Sequence, residues 1–331
     1  MEEKIEKVLA LAGNEHRYQY FTLFVITFLW INCNFSSCVL PFIEREPIIN
    51  YTDSEGVFQE KITLTSDICS ELNGKDFQVV ESFGYSWVSE FHIECKTADI
   101  SNIGSFTYIG NSIGGLIFSF ISKLISHKKI IIISCMGFCV TTFLCTLVKS
   151  YKYFYGLLTC EIFMGLFGNC LCYSSLVIVQ EIVSNKRRSI FSSIVNIGYA
   201  LCGIIYAILF LLFKNWRNVY YVLIGATALV LILIWIFIYD SPREYLNNNN
   251  YKKALKILAG IAAFNGKLEE FKEIIKQDMY QEIIKGKKNE IILIEGERST
   301  KLKKNEKRKK NDEINSNSKT SNRMNHESAG N

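Results

Sequence analysis

Three groups of residues have the types and spacing from which chemistry could be built. Glu161 stands alone among apolar residues in "CEIFMGLFG". Glu181 and Arg188 share "EIVSNKRRS", and Asp240 and Arg243 share "IYDSPREYL". His92 and Glu94 lie together in "FHIEC". Hydrolytic or group-transfer chemistry needs a nucleophile beside a base, a zinc site needs Cys and His at fixed short spacing, and phosphate binding needs a glycine-rich loop. The chain has four His, no paired acids inside an apolar run, no nucleophile elbow, no phosphate-binding glycine loop and no metal spacing. An enzyme is therefore the poorest reading. No metal or cofactor is expected. Nine of the 11 cysteines lie in or at the ends of apolar runs, where they read as small packing residues.

The elements that hold these residues are set by apolar blocks. A chain of 331 residues would ordinarily suggest two soluble domains, but 49% of it is hydrophobic and the hydrophobic residues are grouped. Six blocks, 20–42, 103–125, 130–148, 153–178, 190–213 and 218–239, are long enough to span a bilayer; about 20 helical residues at ~1.5 Å each cross its ~30 Å core. Several are apolar all round, as lipid-facing helices are. The first block is too long, and starts too far into the chain, for a cleaved signal peptide, and it lacks a small-x-small cleavage site. The fold class is an all-α polytopic membrane protein. Residues 1–19 form a cytoplasmic N-terminus and 20–239 a six-helix bundle with an outer loop at 43–102. Residues 240–294 form a cytoplasmic helical segment, and 295–331 a disordered basic tail. The first partner this implies is the lipid bilayer.

Charge sorting orients the bundle. The short loops "SHKK" and "SNKRR" are basic, whereas Glu44–Ile100 carries twelve acidic and four basic residues. Lys- and Arg-rich short loops stay in the cytoplasm, which puts both termini inside and the long loop outside. Lys149, Lys152, Lys214 and Arg217 run against this trend. Cys69 and Cys95 in the outer loop are candidates for one disulfide in an oxidising compartment, and Asn50 in "NYT" is a candidate glycosylation site. "YKKALKILAGIAAFNGK" spaces Ala254, Leu255, Leu258, Ile261 and Ala262 as an amphipathic helix. The basic "KLKKNEKRKK" reads as a solvated tail, with attraction to an anionic membrane face as its alternative. Nothing folded supports a nucleic-acid role for it.

Within this frame the chemistry-bearing residues acquire positions. Asp240 and Ser241 suit an N-cap and Pro242 the first helical position, so the turn ends one helix and starts another along the membrane face. Arg243 is then held at that face within reach of Glu181 or Asp240. Glu161 lies about eight residues into its helix, ~12 Å deep, where a carboxylate is costly. It is protonated, or it faces a water-filled cavity, or it marks relaxed selection. Lys123 sits near the opposite face and is not its partner. Asn34, Asn111, Asn169 and Asn196 are polar groups inside apolar helices. They either line a cavity or make capping and interhelical hydrogen bonds.

An ordered series of segments resembles the organic-ion (organic cation/carnitine-type) transporters of the major facilitator superfamily. "VLALAGNEHRYQ" looks like that family's opening segment. "SEFHIEC" with "GNSIGGLIFSFIS" resembles the entry into its second helix, which makes His92 and Glu94 outer-loop residues of the pattern. "EIVSNKRRS" carries the Glu-x6-Arg spacing at Glu181 and Arg188, "NWR" precedes helix six, and "DSPREYL" with "YKKALKILAGIAAFNGK" resembles the segment after it. The resemblance implies transport of small organic ions by alternating access, with a solute site between two six-helix halves near the midplane. It further implies that Glu181, Arg188, Asp240 and Arg243 form a cytoplasmic charge network holding the outward-facing state.

Two positions depart from the family. Where the superfamily carries Gly-x-Leu-x-Asp-Arg-x-Gly-Arg, this chain has "SFISKLISHKK", with Lys123, Leu124, Ser126 and His127 replacing the charged and glycine positions. Where the family has an Arg in helix four, this chain has Glu161. The sequence holds the amino-terminal half only. Expectations therefore divide between a half that pairs with itself or with a second half and a non-transporting regulatory or scaffold protein. A truncated product and a sugar-porter-like half are the remaining alternatives.

Overall fold

The structure is a computed structural model that describes residues 16–52, 58–63, 68–69, 78–80, 86–247 and 250–274. The expectations for residues 1–15 and for the tail from 295 lie outside these.

The first apolar block forms two helices, α1 (Arg17–Cys33) and α2 (Phe35–Ile43), broken at Asn34. Asn34 Nδ2 donates to the Trp30 carbonyl at 2.8 Å, competing with the helix ladder at the break. The Trp30 carbonyl also accepts the Asn34 N–H at 3.3 Å, so the expected single helix is divided at Asn34 without losing that backbone bond, and the pair still makes one span. Beyond α2 comes a small antiparallel sheet of β1 (Ile48–Thr52), β2 (Phe58–Thr63) and β3 (Gln78–Val79), in the order β2-β1-β3. This sheet in the long loop is a minor addition to the helical fold class. The loop closes with the short helix α3 (Trp87–Glu90), capped by the Ser86 hydroxyl.

Five long helices follow: α4 (Thr97–Ile121), α5 (His127–Leu147), α6 (Phe154–Ile182), α7 (Asn185–Phe213) and α8 (Trp216–Phe237). The α1–α2 pair, α5, α6, α7 and α8 are each long and apolar enough to cross a membrane. The 25-residue α4 has the length, but Gly, Ser, Thr and Asn dilute its apolarity. Helix ends fall 0–6 residues from the expected blocks. Polar residues such as Asn185–Ser189 extend helices past the apolar stretch, because a helix need not stop where the hydrocarbon does.

α6 is the central post. It packs on α4 through glycines: a Cβ at Gly110 would collide with the Ile162 carbonyl, and one at Gly165 would lie 2.6 Å from the Thr107 carbonyl. Small residues let the two backbones approach closely, as membrane helices do where apolar burial from water cannot drive association. Trp30 of α1 donates its indole N–H to Ser175 of α6 at 3.0 Å, and Cys33 Sγ lies 2.8 Å from Cys172 Sγ. An aromatic cluster fills the space between α2 and α8. Phe35 is edge-on to Tyr206 and Tyr220 at 4.6 and 4.9 Å, with Trp87 and Trp216 beside them.

After α8, Ser241 caps α9 (Pro242–Asn247) by accepting the Glu244 N–H at 3.3 Å, with Pro242 first in the helix as expected. α10 (Tyr251–Phe264) buries Ala254, Ile257, Leu258, Ile261 and Ala262, the amphipathic face read from sequence with Ile257 added and Leu255 at its margin. Asn265 then reaches back to α1, accepting the Tyr18 N–H at 2.9 Å. These elements belong to one compact unit that ends at Leu268. In the second unit, residues 269–274 are helical and Lys272 Nζ lies 2.8 Å from Glu269.

Candidate functional site

Glu161 lies on the buried side of α6 and is fully enclosed. Thr107 Oγ1 of α4 is 3.2 Å from its Oε2, and the Tyr220 hydroxyl of α8 is 3.3 Å from its Oε1. The carboxyl is therefore not turned to lipid. It joins three helices through hydroxyls, and no basic side chain among the described residues pairs with it. Thr107 and Tyr220 escaped the sequence reading because each looks ordinary in its own helix. A signal was present nonetheless, since a buried acid demands partners and hydroxyls at similar depth supply them.

The asparagines divide. Asn169 of α6 donates to the Asn111 carbonyl of α4 at 2.5 Å, and Asn111 Nδ2 reaches Ser37 of α2 at 3.4 Å. These two form a polar seam where α2, α4 and α6 meet. Asn34 lies at the helix break, with its Nδ2 3.5 Å from Cys172 Sγ. Asn196 is separate: it is exposed on α7 and bonds its own helix at the Ser192 carbonyl, 3.0 Å away. Tyr108 and Tyr199, which sequence reasoning did not single out, are exposed on α4 and α7 and lie near each other.

The residues expected to form a charge network lie at the end of α6 and in the 240–243 turn. Arg243, itself buried, donates Nε to the Glu181 carbonyl and Nη2 to the Val183 carbonyl, both at 3.2 Å. Arg188 donates Nε to the Gln180 carbonyl at 3.1 Å. Both arginines thus cap the carboxy-terminal carbonyls of α6, where cations also meet the negative end of the helix dipole. Asp240 Oδ2 accepts from the Tyr245 hydroxyl at 3.3 Å. Buried oxygens of Glu181, Asp240 and Glu244 make no hydrogen bond. Burial pushes the Glu244 carboxyl above its usual range, and the neighbouring His127 pulls it back.

At the opposite end lies a site that sequence reasoning missed. Arg217 pairs with Glu90 Oε1 and donates to the Thr146 and Val148 carbonyls that end α5. Trp216 Nε1 donates to Glu90 Oε2 at 2.6 Å. The available signal was an arginine in the first turn of a helix, which opposes the dipole and so implies a specific partner. In the same loop region Cys69 and Cys95 are disulfide-bonded, with Cα atoms 5.4 Å apart. Asn50 lies in β1 beside Gln78 of β3. Among the described residues, no group of Cys, His, Asp and Glu could hold a metal ion.

Long apolar helices knitted by buried polar bonds define a multi-pass integral membrane protein. Comparison with known proteins narrows the class. Residues 80–288 match the family model of the Major Facilitator Superfamily, and the chain belongs to that superfamily. It is similar to solute carrier family 22 member 3 of Mus musculus, 25% identical over 193 residues, which are 58% of this chain and 34% of the mouse protein. It is also similar to organic cation/carnitine transporter 2 of Arabidopsis thaliana, 23% identical over 235 residues, covering 67% of this chain and 42% of the plant protein. Among solved structures, the partially occluded inward-open xylose transporter XylE from E. coli superposes with a TM-score of 0.51 at 14% identity. That match covers 79% of this chain and 60% of XylE, and it shows a shared fold. The chain spans between a third and a half of the length of these curated relatives.

Proposed function

We propose that this chain is one six-helix half of a facilitator-type carrier, and that it moves small organic ions across a membrane by alternating access. The observation that carries this reading is the superfamily match over 80–288, together with relatives named as organic cation/carnitine transporters. The polar seam of Asn111 and Asn169, with exposed Tyr108 on α4 near Tyr199 on α7, supports one wall of a solute path. Aromatic faces and amide groups suit an organic cation. Asn34 and Glu161 lie deeper in the packing, and Asn196 adds a polar group on the exposed side of α7. The second wall comes from another copy of this chain or from a separate half.

The long loop lies outside and both termini inside. The basic turns at Ser126–Lys129 and Ser184–Arg188 support that orientation, because Lys128 reaches the carboxy-terminal end of α8 and Arg188 that of α6. Residues 240–268 then run along the cytoplasmic face. Glu181, Arg188, Asp240 and Arg243 brace that face.

The test is uptake of radiolabelled tetraethylammonium and of carnitine into proteoliposomes holding the full chain. Saturable uptake that falls in Asn169→Leu and Tyr199→Ala supports the carrier reading. Uptake no greater than in empty vesicles, with no partner half recovered by crosslinking in native membranes, overturns it. A regulatory or scaffold role is the second reading. It is favoured by the replaced "SKLISHKK" stretch, whose Leu124 is 82% exposed where the family carries an arginine.

A further inference from the structure

The geometry points to Glu161 as a proton-binding site: a neutral carboxylic acid whose proton is donated to Thr107 where α4, α6 and α8 meet. Protons can be counted at Thr107. Thr107 has a single hydroxyl proton but two acceptors within reach, the Ile103 carbonyl at 3.1 Å and Glu161 Oε2 at 3.2 Å. One proton cannot serve both. If Thr107 donates to Ile103, its oxygen is free to accept, and Glu161 must then supply the proton. Glu161 Oε1 becomes the carbonyl oxygen and accepts from Tyr220 at 3.3 Å. Every donor then has one acceptor, and Thr107 keeps its bond to the Ile103 carbonyl, which an ionised Glu161 taking the same hydroxyl proton would break.

The surroundings agree with the count. Among the described residues, the titratable groups facing Glu161 are Tyr220 from α8, Cys145 from α5, Cys160 on its own helix and Glu44 beyond α2. Each is neutral or negative, so none offers a counter-charge. An ionised carboxylate, fully enclosed and held only by neutral hydroxyls, would lack the pairing that buried charge requires. The acceptor side is also pre-set. Tyr220 is wedged between Phe35, Trp87 and Trp216, which fixes the direction of its hydroxyl. Because all three helices contribute, the proton is released only when their packing opens to water. The inference does not require the chain to carry a solute.

The experiment is infrared spectroscopy of the full chain in lipid nanodiscs near neutral pH. Wild type is expected to show a carboxylic C=O band that is absent from Glu161→Gln and moves to higher frequency in Tyr220→Phe, which loses the bond to that oxygen. If Glu161→Gln instead removes intensity from the ionised-carboxylate band, the proposal fails. Should Glu161→Gln not elute as a folded species, Tyr220→Phe and Thr107→Val decide the matter against wild type. Both must shift a carboxylic band, and a region unchanged in both variants overturns the assignment.

Discussion

The Trp216 indole and the Glu90 carboxylate are joined by a 2.6 Å hydrogen bond across 126 residues of chain. With Arg217 on the other carboxylate oxygen, the pair fastens the end of the long loop to the starts and ends of membrane helices. Arg217→Ala leaves Glu90 without its cation and two α5 carbonyls without a donor. Removing one partner of a largely buried pair typically costs about 3 kcal/mol. We expect the melting temperature in detergent to fall sharply, with Arg217→Lys recovering little, since one ammonium cannot reproduce a planar fork that reaches three acceptors. A lysine variant melting like wild type would refute this.

Arg243 acts on the backbone of α6 rather than only on a neighbouring charge. Arg243→Ala should therefore destabilise by about 1–3 kcal/mol through unmet carbonyls. Glu181→Gln, which leaves those carbonyls bonded, should cost less. Exchanging the two charges, Glu181→Arg with Arg243→Glu, should not restore stability, because a carboxylate cannot donate to a carbonyl. Thermal melts of the four proteins settle the point, and recovery in the exchanged protein counts against it.

The α4–α6 contact makes a sharp steric prediction. Gly110→Val would drive a side chain into the Ile162 carbonyl, and overpacking of this kind costs at least about 1–3 kcal/mol. Gly203→Ala meets nothing within 4 Å and should be neutral or raise stability by up to about 1 kcal/mol. Size-exclusion profiles of the two proteins in detergent should separate them, with only Gly110→Val losing its folded peak.

Glu44, just past α2, gives a prediction in pH. Burial raises its carboxyl above the usual range, against a hydrogen bond from the Gly104 N–H that lowers it. The folded state therefore holds this proton more tightly than the unfolded one. Its contribution is full below the unfolded value of about 4.3 and is lost as pH rises through the higher folded value. Glu44→Gln should flatten that part of the melting-temperature profile while leaving the acid end unchanged. Parallel profiles for the two proteins would show that Glu44 does not carry the effect.

The membrane helices were legible because their signal is bulk apolarity, which needs no partner to be read. The 240–243 turn was legible for a related reason: an N-cap and a proline act within three residues of themselves. What escaped depends on two distant segments at once. Glu90 and Arg217 lie 127 positions apart, and Thr107, Glu161 and Tyr220 come from three helices. Arg217 was visible only as an exception to the charge rule. The break at Asn34 escaped because its flanks are apolar without interruption, and a single amide gives no periodicity to detect. Asn196 shows what residue type alone does not distinguish. Its residue type suggested the same role as Asn111 and Asn169, yet its amide closes on its own helix.

The bond from the Tyr18 N–H to Asn265 spans 247 residues, and its consequence is one of timing. The start of α1 emerges from the ribosome well before the side chain that satisfies its first turn, which is made only after α8 is complete. The Tyr18 hydroxyl likewise waits to accept the Tyr239 N–H, at 2.9 Å. α1 is thus finished only after α8 has been made. A nascent chain halted before Asn265 would hold α1 to α8 and still leave the first turn of α1 frayed.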